Sequence, residues 1–170
     1  MITSKTLTFK KENVITSAQF ALLMAAAMLA PFFLQQSVVG SIVNAVLFIS
    51  VVLLGSRNAI LVGILPSLVS LSVGLLPAVL APMIPFIMTS NVLLILIFDF
   101  FRTKNYWLGI VVASILKFAF LLGSSSIIIN LLLNKAAASK VAMILSWPQL
   151  FTALAGGMIA FLFLRAIKKV

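Results

Sequence analysis

Apolar residues run along this chain in six long blocks, each closed by a short polar, glycine or proline break. The first is Val14–Leu34, between Glu12-Asn13 and Gln35-Gln36-Ser37. The second is Val39–Leu54, closed by Gly55-Ser56-Arg57-Asn58, and the third is Ala59–Leu76, closed by Pro77. The fourth is Pro82–Phe101, closed by Arg102-Thr103-Lys104-Asn105. The fifth is Tyr106–Leu133, ending near Asn130, and the sixth is Val141–Ile167, closed by Lys168-Lys169. A run of 18 to 20 residues covers a hydrocarbon core of about 30 Å at about 1.5 Å per residue. The shorter second run is expected to be a tilted partner of the third, or a near-spanning helix. Backbone groups in lipid must be satisfied within their own segment, and nothing here alternates as barrel strands do. The expected architecture is an all-α bundle of six transmembrane helices.

Pro66 and Gly63 are expected to weaken or kink the third helix. Gly74, Pro77, Pro82 and Pro85 predict a stiff, uncharged connection between the third and fourth. Met1–Asn13 is polar and basic, and the run behind it is long enough to span. It therefore reads as a retained first span rather than a cleaved signal. The expected layout is a cytoplasmic segment over 1–13, one six-helix domain over 14–167 and a cytoplasmic tail over 168–170.

Composition agrees. The chain is 64% hydrophobic and 8% charged, against about 25% charged in soluble domains. So short a chain cannot hide that much apolar surface in one core. The charge, +10, is distributed by topology. With six spans and a cytoplasmic N-terminus, the inside set is Lys5, Lys10, Lys11, Arg57, Arg102, Lys104, Arg165, Lys168 and Lys169. The outside set is Lys135 and Lys140. This is the positive-inside pattern, and it replaces the nucleic-acid reading that a basic soluble protein would invite. Four spans, with the second and third runs re-entrant, would also keep both ends inside. Arg57 sits more naturally in a short cytoplasmic turn.

Candidate chemistry is sparse. There is no cysteine and no histidine, and the carboxylates are Glu12 and Asp99, far apart in sequence. Thiolate, imidazole and paired-carboxylate catalysis are therefore not expected, nor is a metal or cofactor. No P-loop pattern is present, so the energy for any active transport would come from a partner. Asp99 and Arg102, three apart at the cytoplasmic end of the fourth span, are expected to form an ion pair.

Lys117 is the sharpest feature. It lies about 16 Å into the fifth span by helical rise, where an ionisable group costs about 3 kcal/mol on insertion scales. Such a group either contacts an anionic or strongly polar ligand, or is a structural lysine bonded to carbonyls. Counting residues inward places Asn91 and Gln149 about 12–14 Å below the outer edge. Ser124 falls on the Lys117 face, two turns outward, and Thr152 on the Gln149 face. Asn130 falls near the outer mouth. Together they predict an outward-opening polar pocket. Each amide taken singly also reads as interhelical glue. Trp147 reads as an interfacial anchor or a lid. In the first span, Ala21 and Ala25 form an AxxxA pattern, with Ala26 and Ala30 repeating it and Ala18 one turn earlier. Small residues at this spacing allow another helix to approach, whether a partner or a bundle neighbour.

Six short spans with this AxxxA resemble the substrate-binding S component of energy-coupling factor (ECF) transporters, in a branch of unassigned substrate. Residues 14 to 167 carry the likeness. The phrases that carry it are Gly40-Ser41-Ile42-Val43-Asn44-Ala45, Gly63-Ile64-Leu65-Pro66-Ser67, Leu80-Ala81-Pro82-Met83-Ile84-Pro85-Phe86 and Trp147-Pro148-Gln149-Leu150-Phe151-Thr152-Ala153-Leu154. The resemblance implies a receptor in the bacterial cytoplasmic membrane that captures a vitamin or related micronutrient from outside. It implies partners as well: a transmembrane coupling subunit, docked on Ala21 and Ala25, and two ATPases. It also implies that the loop Gln35–Gly40 acts as a lid. The residues that mark riboflavin, thiamine or biotin members are not matched, and Lys117 points to an anionic ligand. The competing reading is a six-helix scaffold of a cell-envelope complex, similar to the MreD proteins. A secondary transporter would call for intramembrane carboxylates or inverted repeats, and neither is seen.

Overall fold

The structure, a computed structural model, describes residues 3–33, 35–72, 78–132, 142–143 and 145–170. Every regular element among them is helical: α1 (Thr3–Phe33), α2 (Gln36–Ser72), a 3-10 turn over Ala78–Met83, α3 (Ile84–Arg102), α4 (Tyr106–Leu132) and α5 (Trp147–Ala166). All five α-helices are long and apolar enough to cross a membrane.

α2 is two helices in one. Gly55 carries φ 79° and ψ 163°, a conformation reserved in practice for glycine. The chain folds back there. A Cβ on Gly63 would lie 3.5 Å from the Leu47 side chain. A straight helix would hold these residues about 24 Å apart at its ordinary rise. The expected break between the second and third runs is therefore present, on the glycine expected to close the second. Pro66 lies inside the returning half.

Several boundaries differ from expectation. α1 begins at Thr3, so the polar leader continues the first helix backward. The expected lid over Gln35–Gly40 is helix from Gln36 on: the Val38 and Val39 amides both donate to the Gln35 carbonyl, at 3.0 and 2.9 Å. Ala78–Met83 in the expected loop before α3 is a 3-10 turn, with Pro85 in the first turn of α3. α5 begins at Trp147, inside the expected run, and Val141 lies outside the described residues. Pro148 has no amide to donate, so it belongs in a first turn. Leu34, Gly74, Pro77, Lys135 and Lys140 lie outside the described residues.

The descending half of α2 is the centre of the bundle. Every residue from Asn44 to Val51 is buried. α1, α3 and α5 all pack on α2, and α4 closes the far side against α3 and α5. Two adjacent glycines let α5 in. A Cβ on Gly156 would lie 2.7 Å from the Ser41 carbonyl oxygen and 2.8 Å from the Ala45 nitrogen, and one on Gly157 would collide with Ile110. Close backbone approach at small residues is how membrane helices gain packing energy when lipid is as apolar as their side chains. One end of the bundle is tied by aromatic contacts. Phe98 meets Phe48 at 4.7 Å and Tyr106 at 5.3 Å, and Phe161 meets Tyr106 at 5.5 Å and Trp107 at 4.7 Å. The expected ion pair is there too, Arg102 to Asp99 at 2.8 Å.

Gly55→Ala should cost on the order of 1–3 kcal/mol, because the strain lies in the backbone and no side-chain space relieves it. Gly156→Ala should also destabilise, by collision with the α2 backbone. Gly123→Ala, a helical glycine with open space around it, should be neutral or stabilising by up to about 1 kcal/mol. Melting of the detergent-solubilised variants orders the three.

Candidate functional site

Lys117 projects from α4 into the bundle and is 4% exposed. Its ammonium donates to Asn44 Oδ1 on α2 and to Asn91 Oδ1 on α3, each at 2.7 Å. Asn91 passes the connection on, donating through Nδ2 to the Gly63 carbonyl at 2.9 Å in the returning half of α2. One chain of hydrogen bonds thus joins four helical segments at one level. Asn44 and Asn91 are 2% and 4% exposed, so water does not compete for these bonds. In so dry a site each is worth more than its surface counterpart, and losing one leaves a polar group stranded.

Among the described side chains, no carboxylate stands beside Lys117. Asp99 is held by Arg102 and lies about 12 Å along α3 from Asn91 by helical rise. Glu12 precedes the first span. Lysine has three donors, and two have acceptors among the described residues. One turn before Lys117, on the same face, stands Ser114. It is 0% exposed and its Oγ has no partner among the described residues. Ser124, Ser125, Ser126 and Thr152 instead turn their hydroxyls back onto their own helices.

Of the residues singled out from the sequence, Asn91 and Lys117 are in direct contact. Ser124 and Thr152 are buried, and Thr152 packs against Gly40, whose Cβ would meet its Cγ2 at 3.1 Å. Gln149 is the third residue of α5, half-buried, and is not among the acceptors of Lys117. Trp147 is exposed and stacks on Phe118, the neighbour of Lys117, at 5.2 Å between ring centres. That contact puts the start of α5 about 18 Å up α4 from Tyr106. Trp147 therefore sits near the middle of α4. Ser146 leaves the new helix without a side-chain cap, because its hydroxyl donates back to the Met143 carbonyl. The Asn130 side chain lies outside the described residues. Ala18, Ala21 and Ala25 are all exposed, on a helix that packs mainly on α2.

Two members of the cluster were not singled out. Asn44 lies in a run that reads as an ordinary apolar span, though an asparagine among valines and alanines was a signal available in the sequence. Ser114 gave none, since a lone serine in a membrane helix ordinarily bonds its own preceding turn.

Asn44→Leu should cost about 1.5–3 kcal/mol with Lys117 present and clearly less in a Lys117→Met background, because the penalty is that of an under-solvated ammonium. A double-mutant cycle on melting temperature measures the coupling; equal costs in the two backgrounds would contradict it. No protein family, curated protein or solved structure matches the chain, so its functional reading rests on these residues.

Proposed function

We propose that this chain is the substrate-binding S component of an ECF-type transporter, resident in a bacterial cytoplasmic membrane. It crosses six times, counting the halves of α2 separately, with both termini cytoplasmic. It takes up a vitamin or related micronutrient from outside and delivers it through a coupling subunit driven by two ATPases.

The observation that carries the reading is Lys117, a buried lysine at mid-span with neutral acceptors and, among the described side chains, no carboxylate in reach. A receptor needs a recognition point at that depth, and an ionisable group there is costly enough to mark one. The outward face of α1 supports the second half of the proposal. Only 11% of its span is buried, against 44% for that of α2. The exposed residues include Ala18, Ala21 and Ala25, small enough for a partner helix to approach closely. One feature favours the MreD-like scaffold: the Lys117 bonds also fasten four segments together.

The two readings part on partners and cargo. Expressed with a coupling subunit and its two ATPases, the chain should be recovered in one complex. Ala21→Leu or Ala25→Leu should abolish recovery without lowering the melting temperature of the free protein. Recovery unchanged by both substitutions, in a protein that carries no small molecule, would leave the scaffold standing.

A further inference from the structure

The Lys117 site is built as half of an ion pair. Its amino group is held in place by Asn44 and Asn91, whose side-chain oxygens are neutral acceptors. Transfer of a charge into a low-dielectric interior is costly when no opposite charge accompanies it, and amide dipoles recover only part of that cost. Among the described side chains no carboxylate supplies the opposite charge, since Asp99 is bonded to Arg102. Two donors stand ready for an acceptor, namely the remaining Lys117 N–H and the fully buried, unpartnered Ser114 hydroxyl one turn away on the same helix face. α5, whose positive end starts near this level uncapped by a side chain, adds to the uncompensated positive field.

We infer that the molecule received by this bundle carries an anionic oxygen group, a carboxylate or a phosphate, and that Lys117 and Ser114 bind it. This names the ligand class for the receptor proposed above and rests on that proposal. The anion accepts from the third Lys117 N–H and from Ser114 Oγ. Asn44 and Asn91 keep the ammonium from following it outward. Neutral and cationic molecules are rejected, because they leave the lysine uncompensated.

The test uses the full-length protein in a neutral detergent. The probe is the fraction of yeast extract below about 1 kDa, split by a strong anion exchanger into retained and unretained pools. The retained pool should raise the melting temperature by about 5 °C or more, the shift expected of a ligand well above its dissociation constant. Lys117→Met should lose that shift. Ser114→Ala, which keeps the fold if Lys117→Met does not, should need about tenfold more of the retained pool for the same shift. Stabilisation by the unretained pool alone overturns the anionic class while the receptor reading stands. Stabilisation by neither pool overturns the receptor reading and this inference with it. A full response of the Lys117→Met protein to the retained pool overturns the role of Lys117. A parallel arm adds phosphatidylglycerol to the micelles. If that lipid alone reproduces a Lys117-dependent shift, the anion is a headgroup of the bilayer and the inference of a water-borne ligand falls.

Discussion

The bundle turns on the ammonium of Lys117, held by Asn44 and Asn91 and linked through Asn91 to the carbonyl of Gly63. In a membrane, apolar contacts between helices compete with equally apolar lipid, so polar bonds and close packing decide which helices meet. This chain has few polar groups inside its spans, and it places three of them at one crossing. The other features serve that crossing. The reversal at Gly55 brings Gly63 back beside Leu47. Gly156 lets the α5 backbone rest on Ser41, Asn44 and Ala45, which seals the Asn44 side against lipid.

The same arrangement accounts for the division of the molecule into a tight half and an open one. Around the descending half of α2 the helices are close-packed and aromatic edges tie one end together. α1 packs on α2 through Met24 and Ala27, while Ala18, Ala21 and Ala25 face away from the knot. The other face of this helix is left to present a surface, as the proposed receptor would need to dock on its coupling subunit. Catalysis belongs to the partners under this reading.

The helices themselves were legible in the chain because breaking an apolar run with Gly55-Ser56-Arg57 or Arg102-Thr103-Lys104 leaves little choice about where it ends. Lys117 was legible for the same reason: a charge within a span must be accommodated by something. Counting residues from the ends brought Asn91 to the right level. The count misjudged α5, because it took an apolar run for a continuous helix. Ser146 and Pro148 shifted the start to Trp147. Asn44 was missed for a related reason, since depth alone cannot say which face of a helix a residue occupies.

What the sequence determined by itself is an all-helical membrane protein, with its helix breaks, its basic residues at or beyond the ends of the spans and one lysine deep within them. Hydrophobic length and charge placement are properties of the chain against water and lipid, and they need no partner helix to be read. What only the tertiary structure decided is which side of each helix faces its neighbours. In a soluble protein polar periodicity would mark the outer face, but here core and lipid are equally apolar and that signal vanishes. Asn44 opposite Lys117, Gly156 against Ser41, and Ala27 turned inward while Ala18, Ala21 and Ala25 face outward follow from how the helices pack, and packing settles what the buried Lys117 meets.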